Sequence, residues 1–268
     1  MTRIALGIEY DGTDFRGWQT QQPGVRTVQE CLEAALSKVA NHPVAVVCAG
    51  RTDAGVHGTG QVVHFDSEAP REMKSWIMGA NTNLPRDVTV RWATPVDDAF
   101  HARFSAVSRR YRYVIYNYAR PPALFRNQVT WNYRPLDVAA MREAATYLVG
   151  EHDFTAYRSV HCQAKSPLKT MHSLELYEHG KVLVLEAHAN AFLMHMVRNI
   201  AGVLMSVGAG KKPATWAREV LEGRDRRKGA ATAPPFGLYL VEIEYPDHFA
   251  LPQDALGPLW LPDDRHND

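Results

Sequence analysis

Cysteine is scarce: the 268-residue chain has three, Cys31, Cys48 and Cys162, an odd number spaced too widely for a CxxC zinc or redox motif. A disulfide framework is therefore not what organises the fold, and a reduced, cytoplasmic setting is expected. Uninterrupted apolar runs of 18 residues are missing, so no membrane-spanning helix is expected. The opening MTRIALGIEYDGT lacks the sustained apolar stretch of a signal peptide. An excess of either charge is missing as well, with 30 Lys and Arg against 29 Asp and Glu for a net +1. Proteins that grip phosphates usually carry a basic balance, and this sum neither supports nor excludes a polyanionic partner. The sum hides an asymmetry: residues 248–268 hold Asp254, Asp263, Asp264 and Asp268 against Arg265, a local −3 that leaves +4 for the rest.

What is present is an ordinary globular composition, 46% apolar and 10% aromatic, long enough for one large domain or two modest ones. Arg3 to Tyr10 reads as a strand and is followed by a Gly/Asp-rich turn, DGTDFRGW. Thr27 and Glu30 fit a capping box that opens an apolar-periodic helix through Val28, Leu32, Ala35, Leu36 and Val39. Val44 to Cys48 and Gln61 to Phe65 read as short strands, Met73 to Asn83 as a helix and Val88 to Thr94 as a strand. The second half repeats the mixture: strand Arg109 to Tyr116, helix Asp137 to Val149, strands Met171 to Glu178 and Val182 to Asn190, helices Ala191 to Val207 and Thr215 to Glu222, and strand Leu238 to Tyr245. The pattern predicts an α/β or α+β fold in two subdomains, 1–106 and 107–246, with 247–268 as an acidic, Pro-containing surface tail.

Between the strands at Val44 to Cys48 and Gln61 to Phe65 lie the eleven residues Gly50 to Gly60, with four glycines, one Arg, one Asp and one His. That is longer than a tight hairpin needs. An Asx-turn would account for Asp53 without any function. A phosphate-cradling loop would require a GxxxxGK[ST] lysine that is absent. A metal site could draw on Asp53, His57, His64 and Asp66, but at no standard ligand spacing. A carboxylate acting as nucleophile or base beside an arginine is the remaining option.

These residues carry a resemblance. Ala49-Gly50-Arg51-Thr52-Asp53-Ala54-Gly55-Val56-His57 is similar to the signature of the tRNA pseudouridine synthase A family. Glu9-Tyr10-Asp11-Gly12 with Gly17-Trp18-Gln19, Thr27 to Glu30, Phe100 to Ala106, Arg110 to Tyr113, Gly150 to Phe154, Asn190 to Asn199 and Gly237 to Leu240 follow in the family's order. The likeness covers residues 3–246 and leaves the remainder of the chain without a counterpart.

The resemblance implies a pseudouridine synthase fold of two ferredoxin-like sheet-and-helix subdomains with a cleft between them. It implies an isomerase that converts uridine to pseudouridine at positions 38, 39 and 40 in the anticodon stem-loop of tRNA, as a homodimer, without metal or other cofactor. Asp53 is the implied nucleophile, attacking C1′ or assisting deprotonation at C2′. Tyr111 is implied to stack on the flipped uracil, Arg51 to assist flipping and Arg198 to pair with Asp53. Arg198 also falls in a run, AFLMHMVRNIAGVLMSV, apolar enough that a buried guanidinium needs a partner, while His195 reads as a satisfied core histidine. Phe100, His101, Ala102, Arg103 and Phe104, and His161, Cys162, Gln163, Ala164 and Lys165, match segments that touch tRNA, mixing cations with aromatic or amide groups. Arg109, Arg110, Arg112, Arg120 and Arg126 would widen that basic track. Two rival readings are a non-catalytic tRNA-binding or folding protein of the same fold and a metal-dependent hydrolase using Asp53, His57 and His64.

Overall fold

The structure, a computed structural model, describes residues 1–262. Asp263, Asp264, Arg265 and Asp268, which set most of the tail's acidic balance, lie outside the described residues. In chain order the elements are β1 (Thr2–Tyr10), α1 (Val28–Ala40), β2 (Val47–Cys48), β3 (His57–Ser67), α2 (Met73–Asn83), β4 (Val88–Val96), β5 (Ser108–Asn117) and β6 (Thr130–Asn132). They continue with α3 (Val138–Thr146), β7 (Gly150–Asp153), β8 (Leu168–His179), β9 (Val182–Ala189), α4 (Met196–Gly208), α5 (Trp216–Gly223) and β10 (Leu238–Glu244). Among the described residues no helix is long and apolar enough to cross a membrane.

The chain forms two compact units, Met1–Val107 with Tyr239–Asp268, and Ser108–Leu238. Unit 1 carries strands in the order β4-β1-β3-β10, with β2 beside β3. Strand alternation sorts its side chains. Ile4, Leu6 and Ile8 of β1 and Val63 and Phe65 of β3 face Leu32 and Leu36 of α1 and Trp76 of α2 in the main core. Ala5 and Val62 face the other way, onto Phe100 and Ala102. Each fully buried Leu, Ile or Phe contributes about 1.5–3 kcal/mol. Thr27 caps α1 as expected, its hydroxyl accepting from the Glu30 amide, and Asn41 ends the helix at φ 59°. Unit 2 orders its strands β5-β9-β8-β7, with β6 parallel to β5. Its α3 is capped by Asp137 and packs on α4 and β8.

Five expectations are corrected. β10 belongs with unit 1, because Tyr239 and Leu240 pair in parallel with His57 and Gly58 of β3. Among the described residues the tail is no loose extension: Leu256 and Leu261 are buried, Phe249 packs edge-on against Phe100, and Asp254 lies 3.6 Å from Arg91. Four residues read as loop, His57 to Gly60, already belong to β3, so the connection from β2 is Ala49 to Val56. Of the expected strand Val44 to Cys48, only Val47–Cys48 is strand. The helix expected from Ala191 starts at Met196, since His195 sits at φ 63° and the Met196 amide closes a turn onto Leu193 O at 3.0 Å.

Candidate active site

The loop carrying Asp53 is held from several sides within unit 1. At its base, β2 pairs with β3 at Val47 with His64 and Cys48 with Val63, and the Ala49 amide donates to Val62 O at 2.8 Å. Along its flank lies the DGTDFRGW turn. The Trp18 amide donates to Thr52 O at 3.0 Å, the Gly55 amide to Phe15 O at 3.3 Å, and the hydroxyls of Tyr10 and Thr52 are 2.8 Å apart. Gly17, at φ 101°, allows this approach: a Cβ there would stand 2.9 Å from Thr52 O and 3.3 Å from the Ala54 nitrogen. Two segments that looked unrelated in sequence thus form one clasp. Within it Asp53 is half-buried and Arg51 exposed.

His57 ends the loop. Its ring is 1% exposed and stacks on Tyr239 at 4.7 Å. Nδ1 lies 3.0 Å from the Gly12 amide and 3.1 Å from Asp11 Oδ1. Its proton decides which neighbour it serves: bare, Nδ1 accepts from Gly12, and protonated it donates to Asp11. Burial alone would raise the Asp11 carboxyl, but hydrogen bonds from His57 and Thr13 outweigh it and hold the group well below the usual carboxylate range. The remaining residues of the hypothetical metal set are engaged elsewhere. Asp66 makes a two-pronged bond with Arg3 at 2.8 Å each, and His64 Nδ1 accepts from the Ala102 amide at 3.1 Å. Among the described residues no group of three or more His, Cys, Asp or Glu is placed to hold a metal ion.

Of the first expected RNA segment, Phe100 and Ala102 are wholly buried, while His101 is half-buried and Arg103 and Phe104 are exposed, Phe104 at 74%. The two buried residues anchor the turn that displays the other three. His101 stacks near Phe104 at 4.3 Å and Arg103 lies over the same ring at 5.5 Å. In unit 2, His161, Gln163, Ala164 and Lys165 are exposed and Cys162 is half-buried.

Tyr111 of β5 is half-buried and meets Phe192 edge-on at 5.0 Å. The opposite face of β5 is not a basic track. Arg110 and Arg112 both bond Glu186 of β9, at 2.9 and 2.8 Å, and Arg112 is only 2% exposed, because a cation on an inner strand face needs a carboxylate. Arg198 stands in the first turn of α4, half-buried, and donates Nε to Ala233 O at 2.9 Å. Its neighbour Asn199, buried, was missed by sequence reasoning. Asn199 donates to Tyr157 O at 2.8 Å and accepts from Arg226 and Thr232, tying α4 to the segment after α5. A short polar side chain within an apolar helical run was the one available signal.

Comparison with known proteins defines the class. Residues 7–105 and 144–246 match the family described as tRNA pseudouridine synthase. A protein named tRNA pseudouridine synthase A from Alcanivorax borkumensis is 89% identical over 98% of this chain and 98% of its own length. One of the same name from Pseudomonas aeruginosa is 62% identical over 97% of this chain and 92% of its own. A solved chain of an archaeal box H/ACA complex of Nop10 and Cbf5 aligns at 11% identity and a TM-score of 0.35, over 75% of this chain and 43% of that one. Pseudouridine synthases are isomerases. With its two matched stretches and relatives this similar along nearly their whole length, the chain belongs to the tRNA pseudouridine synthase family.

Proposed function

We propose that the protein isomerises uridine to pseudouridine at positions 38, 39 and 40 of the tRNA anticodon stem-loop, with Asp53 as nucleophile and the target base flipped out of its stack. The observation that carries this reading is the half-buried Asp53 carboxylate on a backbone fixed by Ala49, Thr52 and Gly55, next to an exposed arginine. A preorganised carboxylate is what the reaction asks of the protein. The N1–C1′ bond breaks with its electron pair on uracil, C5 bonds to C1′, the C5 proton leaves and N1 gains one. The change is redox-neutral, and the proposal includes no cofactor.

In this reading Tyr111 lies against the uracil, Arg51 supports the extruded nucleotide and Arg198 is the cation that serves the carboxylate. His101, Arg103 and Phe104, on the turn that Phe100 and Ala102 anchor, and residues His161 to Lys165 with Cys162 contact tRNA. The proposal further takes the working form to be a cytoplasmic homodimer, checked by light scattering of the purified protein. The central experiment is Asp53→Asn with tRNA tritiated at C5 of uridine. Tritium release is expected to vanish while tRNA binding persists, and turnover by that variant would overturn the assignment.

A further inference from the structure

The β2–β3 ladder runs Val47 with His64, then Cys48 with Val63, and is extended by the Ala49 amide bonding Val62 O. Its next rung would set Gly50 against Gln61. There the pattern changes. The Gln61 carboxamide, on a residue 0% exposed, takes the rung in place of its own main chain: Nε2 donates to Gly50 O at 2.6 Å, and Oε1 accepts from the Gly50 amide at 3.3 Å. A side-chain amide has the donor and acceptor of a peptide group but stands further out. It can therefore satisfy both polar groups of Gly50 while the chain departs from the sheet toward Arg51 and Asp53. From the far side the backbone at Val241 comes so close to Gly60 that a Cβ there would collide, so β3 is backed by packed main chain at this point.

We infer that Gln61 is a positioning residue for catalysis: its carboxamide sets the take-off of the loop at Gly50 and thereby the placement of Arg51 and Asp53. The inference rests on the reading of Asp53 as the nucleophile. A catalytic loop must be held within about half an ångström of its productive place, and a rung formed by one side chain is a single replaceable part.

Two variants test it in the full-length protein, with Asp53→Asn as the reference. Gln61→Met keeps the volume without the amide. It is expected to lower kcat by about 10-fold to 100-fold while KM for tRNA stays within about 2-fold. Gln61→Glu supplies a signature that mere packing would not. As a neutral acid it can donate to Gly50 O and accept from Gly50 N; ionised, it sets an anion against that carbonyl. The ratio of its kcat to the wild-type value is therefore expected to rise as pH falls. The charged and titratable groups around this side chain, Arg51 on the loop, His57 at the loop's other end, and Arg91, Glu242, Glu244, Asp247 and Asp254 around the adjoining cavity of about 500 Å³, are present in both proteins. If Gln61→Met does not fold, the Gln61→Glu ratio carries the test. A flat ratio, or a folded Gln61→Met with wild-type kcat, overturns the inference. Activity in Asp53→Asn would instead overturn the reading beneath it.

Discussion

Replacing Gly17 by alanine probes the clasp around Asp53 directly. Gly17 has φ 101°, and its added Cβ would lie 2.9 Å from Thr52 O, 3.3 Å from the Ala54 nitrogen and 3.4 Å from the Asp53 carbonyl carbon. Two costs follow. Holding a non-glycine residue at that φ takes roughly 1–2 kcal/mol, and wedging a methyl against packed backbone takes roughly 1–3 kcal/mol more. Relieving the closest contact to an ordinary 3.4 Å requires the two loops to part by about 0.5 Å. Since a misplacement of about 1 Å can cost on the order of 100-fold in rate, half of that corresponds to about 10-fold in kcat. The control is Gly24→Ala: φ is 85°, but nothing lies within 4 Å of the new methyl. It should show the backbone cost in a urea titration and leave single-turnover tritium release at the wild-type rate. Wild-type kcat in Gly17→Ala, or an equal slowing of the chemistry by both substitutions, would refute a rate-setting role for the clasp.

Three further outcomes can be checked by urea titration. Burial, reinforced by the charges of Arg3 and His101, holds His64 down to about 4 from 6.5. The unfolded chain then binds more protons between those values, so stability present above pH 6.5 is lost as pH falls toward 4, by on the order of 2–3 kcal/mol; His64→Gln should flatten that slope, and an unchanged slope would refute it. Glu186→Gln strips the charge that serves Arg110 and the buried Arg112 and should cost about 3 kcal/mol or more, a loss that disappears if those arginines are in truth solvated. Leu256→Ala should cost about 2–4 kcal/mol because the tail is packed into unit 1, whereas a loose extension would show no change.

Much of the fold was legible where local rules govern. The Thr27 cap and the bounds of α2 follow from side-chain chemistry and helical period. The rest depended on contacts distant in sequence. Gly58 and Gly60 suggested a loop, yet Gly60 is glycine because the backbone at Val241 comes close, a strand-to-strand reason that no local window contains. The run from Ala191 looked like continuous helix because its first residues are as apolar as its last, and the turn at His195 comes from backbone geometry that composition does not signal. The candidate site divides in the same way. Asp53 stood out by its motif, but the roles of His57, Gln61 and the DGTDFRGW turn emerge only when the chain is folded. Arg110 and Arg112 looked like surface cations because Glu186, 76 and 74 residues away, is invisible to spacing.

The return of the chain from unit 2 to unit 1 has a consequence for synthesis. His57, at the end of the Asp53 loop, stacks on Tyr239, and β3 takes Tyr239 and Leu240 as its partners. On the ribosome, Ser108–Leu238 must be made before that partner exists. At about 5–20 residues per second, the edge of β3 waits on the order of ten seconds, and the Asp53 loop with it. Chains that stop short of residue 239 therefore carry the GRTDAGVH motif without the tyrosine that seats its histidine. The nascent chain acquires a finished Asp53 loop only near the end of its own translation.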